Sequence, residues 1–337
     1  MTGPVDVTVV VPTYNRPAVL EECVRALLSQ APNAPPYEII VVDDCSRVDP
    51  GPRLRSLAGG DARLRFVRHE VNRGRSATRN TGIRAATGGI VLLVDDDVVV
   101  GPDYVGAHVA VHRAAGEAHL AVVGHLSYPP QLTASSNYAR YLQSRYLGFR
   151  RPQERDGIDL TNLHPRFLIT AVASVRRDDL LHHAPFDESM RSYGCEDHVA
   201  AVRLVERGLR VVFAPGATAI HRDSVAVPWH KAKMLETARD GVPVLLEHCP
   251  TFLDESAFRD LLPVDWRRDG PARILRKATV RACLNPAMRW ALERWAIATD
   301  SAPRLYLHAA YRALNAAWFL QGLRMERDGR PLVVYDD

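Results

Sequence analysis

The chain has 337 residues, 47% of them apolar and 24% charged, enough for one large or two modest domains with a sizeable core. Those proportions exclude a disordered, collagenous or coiled-coil protein. A formal charge of +4, from 43 basic and 39 acidic residues, is too balanced to point to a nucleic-acid partner.

Lys231, Lys233 and Lys277 are the only lysines, so 40 of the basic residues are arginines. With so much alanine, that reflects coding bias rather than a selection of guanidinium groups for phosphate. The five cysteines (Cys23, Cys45, Cys195, Cys249, Cys283) are odd in number and lack a C-x-x-C pair, which speaks against a disulfide framework and a zinc site. No basic segment precedes the first apolar run, which Asp6 and Pro12 flank, so a secretory leader is not expected. No stretch reaches the roughly 18 apolar residues of a membrane-spanning helix. A reducing cytoplasm is the expected location.

In chain order, Val5 to Val11 is a β-branched run ended by Pro12, as expected of a buried strand. Arg16 to Gln30 puts Val19, Leu20, Cys23, Val24, Leu27 and Leu28 on one helical face, with Pro17 in its first turn. Tyr37 to Val42 is a second strand and Leu64 to Arg68 a weaker third. Ser76 to Ala86 reads as a helix closed by Gly88-Gly89, followed by the apolar strand Ile90 to Val94. Further on, Asp103 to Gly116 and Asn137 to Leu147 are expected as helices, Leu120 to Gly124 and Arg166 to Val175 as strands, and Arg151 to Asp159 as a polar loop. His198 to Gly208 is expected as a helix buried through Val199, Val202 and Val205, before a strand from Arg210 to Ala214. The alternation implies βαβ units and an α/β, mostly parallel sheet flanked by helices. From about Pro228 the pattern changes to long helices, and all five tryptophans lie beyond that point. The expected division is therefore 1–227 for the sheet domain and 228–337 for a helical C-terminal region.

Three strands deliver polar residues to the edge where open parallel sheets bind ligands: Pro12-Thr13-Tyr14-Asn15, then Asp43-Asp44, then Asp95-Asp96-Asp97. An acidic residue after a strand is often only a helix cap. Three in a row exceed what a cap requires, and their mutual repulsion calls for a divalent cation with hard oxygen ligands, Mg²⁺ or Mn²⁺. Neither G-x-G-x-x-G nor a P-loop is present, so a phosphate-bearing ligand would be held through metal and basic side chains.

Five segments in order (VVVPTYNR at 9–16, VVDDCS at 41–46, NRGRSATRNTGIRAATGGIVLLVDDD at 72–97, FDESMRSYGCEDHVAAVRLVERG at 186–208, and the strand ending in His221) resemble the family 2 glycosyltransferases with the GT-A, Rossmann-like fold. The resemblance covers residues 5 to about 224. It implies a metal-dependent, inverting transfer from a nucleoside-diphosphate sugar (UDP, dTDP or GDP) to a hydroxyl or amine of a small molecule, glycan or lipid-linked acceptor. It further implies that Pro12, Thr13 and Tyr14 line the base and ribose pocket and that Asp44 accepts from the nucleobase. Arg79 would face the diphosphate or support the aspartate loop. Asp95 would lie near the ribose and the metal, Asp96 between, and Asp97 on the metal, with His221 reaching the metal or diphosphate. Asp197 is implied as general base, with Glu196 the competing candidate.

Asp197 could also be an ordinary helix-start acid and His221 a hydrogen-bonded bystander. The Q-x-x-R-W element of processive synthases is absent, Ala287-Met288-Arg289-Trp290 being the nearest text, so a single transfer is expected. Val98 follows Asp97 where many relatives carry another aspartate, leaving fewer carboxylates for a metal. A nucleotidyltransferase acting on sugar phosphates and a non-catalytic carbohydrate-binding relative are the alternatives. A glycosidase would need no nucleotide pocket or metal cluster. Between 266 and 294, eight basic residues stand against Asp269 and Glu293, interleaved with Trp266, Leu275 and Trp290. A packed helical appendage is the favoured account; peripheral contact with the inner face of a membrane and homodimerisation stay open. Every donor-site motif lies before residue 225, so the C-terminal third is not expected to contribute to the nucleotide site.

Overall fold

The computed structural model describes residues 5–116, 119–149, 157–183, 186–254, 256–327 and 330–333. The expected loop from Arg151 to Asp159 lies outside them as far as residue 156. The strands are β1 (Val7–Thr13), β2 (Tyr37–Asp43), β3 (Leu64–Arg68), β4 (Ile90–Val94), β5 (Val98–Val100), β6 (Leu120–Ser127), β7 (Val172–Arg176) and β8 (Arg210–His221). They form one eight-stranded sheet in the order β3-β2-β1-β4-β7-β6-β8-β5.

β1 and β2 are apolar, β-branched runs buried along almost their whole length, as central parallel strands covered on both faces must be. Leu20, Cys23, Val24 and Leu27 of the helix Pro17–Leu28 pack into the same core. The helix Arg75–Ala85 lies against β1 through Gly82. A Cβ there would stand 2.2 Å from Val10 Cγ1, so only glycine permits this approach.

The sheet is α/β and mixed: among the described residues four of its seven pairings are parallel. β5 begins four residues after β4 ends, too soon for a parallel crossover, and pairs antiparallel with β8 at the far edge. β7 runs antiparallel between β4 and β6. Val172 pairs with Val94, so the chain enters β7 at the rim where β4 ends, and this places Thr170 beside the aspartates.

Several boundaries move for local reasons. The strand expected from Arg166 begins at Val172, because Pro165–Phe167 makes a 3-10 turn whose Arg166 N–H donates to His164 Nδ1. The helix from Asn137 ends at Gln143 rather than Leu147. β8 continues past Ala214 to His221: Pro215, with no N–H to donate, interrupts the ladder, and pairing resumes at His125 with Thr218. The helix Gly51–Ala58 was not anticipated, since its opening Gly51-Pro52 reads as a turn.

Beyond residue 227 the chain is mainly helical, as expected, with Val227–Glu236, a π turn at Thr237–Gly241, Val242–His248, Pro271–Cys283, Pro286–Thr299 and His308–Gly322. Trp318, Tyr311 and Leu314 pack with Tyr138 and Tyr141 into a second core. The helix Glu196–Glu206 belongs to both cores. Its Ala200, Ala201 and Leu204 face the sheet, and Val199 and Val202 face the C-terminal helices. Packing is therefore continuous across position 228.

Candidate active site

The rim begins where β1 and β2 end side by side, with Thr13 opposite Asp43. Asn15 and Cys45, the turn residues after them, have φ of 52° and 64°, a conformation costly for non-glycine residues and sustained by the bonds around it. Asn15 N–H donates to Ser46 Oγ (2.8 Å) and Asn15 Oδ1 accepts from Arg47 N–H (2.8 Å). Pro12 and Tyr14 are half-buried at this edge, and Thr13 is buried. Asp43 is wholly buried; it accepts from Ser46 and pairs with Arg68 at 2.9 Å, and burial raises its carboxyl above the usual range. Asp44 is turned onto the following loop, accepting from Arg73 N–H (2.9 Å) and Gly74 N–H (2.7 Å) and contacting His69 Nδ1 at 2.7 Å. Three protein groups thus use the oxygens expected to meet a nucleobase.

After β4, the three aspartates separate. Asp95 pairs with Arg79 at 2.8 Å. Asp96 is buried, accepts from Thr13 Oγ1 at 2.7 Å and from Arg16 at 3.2 Å, and is pushed up to about 7 by burial. Asp97 takes Arg16 at 2.7 Å and lies 3.4 Å from His221 Nε2. Burial alone would raise the Asp97 carboxyl, but His221, Arg16 and Lys233 outweigh it and hold it well below the usual range. Burial likewise opposes the charging of His221, and Asp97 reverses that, raising the imidazole. Tyr146 Oη meets His221 Nδ1 at 2.8 Å, and Tyr128 stacks on the ring, so its orientation is fixed.

Asp97, His221 and Asp223 each bring one donor atom within 4.8 Å of the others. Asp97 Oδ1 is buried without a hydrogen-bond partner. Two carboxylates, an imidazole and an orphaned buried oxygen suit a divalent cation, so the residues present fit a metal. The group differs from the sequence expectation: Asp95 is spent on Arg79, and Asp223 joins instead. Asp223 follows His221 by two residues, so the H-x-D spacing at the end of β8 was the available signal. Asp223 also accepts from Trp229 Nε1 (3.1 Å) and pairs with Lys233. Arg16, not among the expected site residues, is shared by Asp96, Asp97 and Asp223.

Across the rim, Cys195 with φ 69° starts the helix Glu196–Glu206. Glu196 is buried against Arg75 (3.2 Å) and Arg79 (3.3 Å); burial would raise it, and the two arginines lower it. Asp197 is different. Its side chain is 24% exposed, Thr170 donates to it through both N–H (3.2 Å) and Oγ1, and Arg79 stands 3.8 Å away. Burial and the neighbouring Glu196 raise it to about 6. Of the acidic pair, Asp197 is the one that faces the opening. Arg79, itself 2% exposed, contacts Asp95, Glu196 and Asp197.

The C-terminal third reaches the residues around the candidate metal group. Lys233 holds Asp223, Glu236 Oε1 accepts from Tyr193 N–H (2.6 Å), and Gly241 of the π turn lies so close to Gly194 that a Cβ would stand 2.4 Å from its carbonyl oxygen.

The model of Glycosyl transferase family 2 matches residues 8–181, just over half of the chain. The chain belongs to this family. The glycosyltransferase EpsJ of Bacillus subtilis is similar, 36% identical over 141 residues, 38% of this chain and 39% of that one. The hyaluronan synthase of Pasteurella multocida is 26% identical over 290 residues, 77% of this chain and 28% of the synthase. The chain thus spans well under two thirds of these relatives. Among solved structures, the mannosyltransferase PcManGT of Pyrobaculum calidifontis, in complex with GDP-Man and Mn²⁺, superposes with a TM-score of 0.61 at 20% identity, over 96% of this chain and 86% of that one. GalNAc-T7 with UDP, GalNAc and Mn²⁺ gives 0.52 at 14% identity, over 75% of this chain and 57% of that one. The likeness is one of fold, a mixed sheet of the GT-A type. Among the described residues no helix is long and apolar enough to cross a membrane.

Proposed function

We propose that this family 2 member transfers a sugar from a nucleoside-diphosphate sugar to an acceptor hydroxyl in one inverting, non-processive displacement, with Asp197 as general base. The observation that carries this reading is the buried guanidinium of Arg79, which ties the aspartate loop through Asp95 to the half-open carboxylate of Asp197. Donor-side acids and an acceptor-side base are thereby held in one rigid frame, the requirement of a positioned displacement.

Asp97, His221 and Asp223 would hold Mn²⁺ or Mg²⁺, and the imidazole favours Mn²⁺. When bound, the metal supplies Lewis-acid stabilisation of the departing diphosphate. The chain's own part is positional. Pro12, Thr13 and Tyr14 line the base and ribose pocket, and Asp44 shapes its wall by holding the 69–74 loop, with acceptor capacity left for the base. Asp96 anchors Thr13 and Arg16 beneath the site. The acceptor oxygen forms its bond to the anomeric carbon as the bond to the diphosphate oxygen breaks, and the acceptor proton passes to Asp197. The Mn²⁺ and the GDP- and UDP-containing ligands in the two superposed transferases support a nucleotide-sugar donor.

The test is a panel of UDP-, GDP- and dTDP-sugars scored by thermal stabilisation with and without Mn²⁺, since a ligand bound only by the folded state raises the melting temperature. One nucleotide class should stabilise in the presence of metal. No response from any member, in a protein that binds Mn²⁺, would overturn the donor assignment.

A further inference from the structure

The helix Pro286–Thr299 turns an apolar stripe to solvent, and Trp266 and Leu275, earlier in the chain, are open as well. Trp266, Leu275, Trp290 and Ile297 are 79%, 68%, 65% and 56% exposed. On that helix Ala287, Trp290, Ala291, Arg294 and Ile297 recur at helical spacing on the exposed side, while Ala296 and Thr299 are buried and Leu292 and Trp295 pack on the second core. On the preceding helix, Pro271–Cys283, Ala272, Leu275, Arg276 and Thr279 are exposed and Lys277 is buried. Folded chains rarely leave large aromatic and aliphatic groups this open without a partner.

Charge identifies that partner. The two acidic residues of this stretch are turned inward: Asp269 is buried on Lys277, and Glu293 accepts from Lys231 (3.0 Å) and Trp318 Nε1 (2.7 Å). Arg267 and Arg294 remain exposed without an acidic partner among the described residues, while Arg276, also exposed, pairs with Asp260 at 3.5 Å. A second copy docking through the same patch would bring like charges together, whereas an anionic bilayer neutralises them and takes the tryptophans at its headgroup level. We infer that the outward side of the helix Pro286–Thr299 forms a peripheral docking face for an anionic lipid bilayer. This face stands independently of the reaction proposed above.

The full chain is mixed with vesicles of phosphatidylcholine alone and of phosphatidylcholine with phosphatidylglycerol, and followed by flotation and tryptophan emission. Binding with a blue shift is expected only with the anionic vesicles, and should weaken at high salt. Trp290→Ser should lower vesicle affinity by about tenfold or more, and Arg294→Ser by about fivefold. Both side chains are exposed, so the melting temperature should be unchanged; if Trp290→Ser fails to fold, Arg294→Ser decides. Absence of binding to anionic vesicles, or variants that bind as well as the parent, would overturn the inference. So would a dimer of the parent that Trp290→Ser dissociates, which would assign the face to a second copy.

Discussion

Lys233, on the helix Val227–Glu236, holds the carboxylate of Asp223, so a side chain from the C-terminal third secures one of the three residues of the candidate metal centre. Both groups are buried, and Trp229 and Tyr193 pack their rings around the ammonium at 5.2 and 5.0 Å. Removing one member of such a pair leaves an uncompensated buried charge. Asp223 retains Arg16 at 3.7 Å, so Lys233→Met should lower stability, by denaturant titration, by less than the roughly 3–5 kcal/mol of a fully uncompensated buried charge, and Asp223→Asn in the same chain should return part of it. A chain ended near Pro228 lacks Lys233, Glu236 and Gly241 together, and should show no nucleotide affinity even if soluble.

Metal dependence has its own signature. Calorimetry of a nucleoside diphosphate should show strong binding with Mn²⁺ and little in EDTA. Asp223→Asn and His221→Ala should each weaken direct Mn²⁺ binding, whereas Asp95→Asn, whose partner is Arg79, should leave it nearly intact. An Asp95 variant that loses Mn²⁺ as fully as the Asp223 variant would return Asp95 to the metal shell.

Much of this arrangement could be read from the chain because it is local. The apolar runs of β1, β2 and β4 and the polar residues that follow them are contiguous, so period and position suffice to find the rim. What escaped depends on distant pairing. The family resemblance offered Arg79 as a support of the aspartate loop, but its choice of Asp95 follows from Gly82 seating the helix Arg75–Ala85 against Val10. Asp223 joins Asp97 because β8, antiparallel to the three-residue β5, brings His221 opposite Val98. Lys233 and Glu236 reach the site by packing across position 228, a contact that a change in composition does not reveal.

A pH profile separates the roles of the carboxylates. Burial and Glu196 raise Asp197 to about 6, and a base works only when deprotonated. The rate should therefore be low below that value and rise to a plateau above it, kcat/KM gaining about tenfold per pH unit on the acid side. Thr170→Val removes the hydroxyl donor to the carboxylate and should move the inflection to higher pH, because the charged form loses a hydrogen bond. A profile flat between pH 5 and 8 would exclude Asp197 as the titrating base.

The decisive comparison is Asp197→Asn beside Glu196→Gln. Asn preserves the shape that Thr170 holds and removes the basicity, and Asp197 makes its ion-pair contact only at 3.8 Å, so the fold should tolerate the change. Donor affinity should stay within a few-fold while turnover falls by about two to four orders of magnitude, the usual worth of a positioned base. Glu196 pairs with both Arg75 and Arg79, so Glu196→Gln removes one buried negative charge that both arginines share. Its loss should appear first as a lowered melting temperature and a disturbed Arg79, with turnover falling less than in Asp197→Asn. If Asp197→Asn turns over normally and Glu196→Gln is inactive though folded, the base is Glu196. If both remain active, the pair only anchors Arg79, and the acceptor proton leaves by another route.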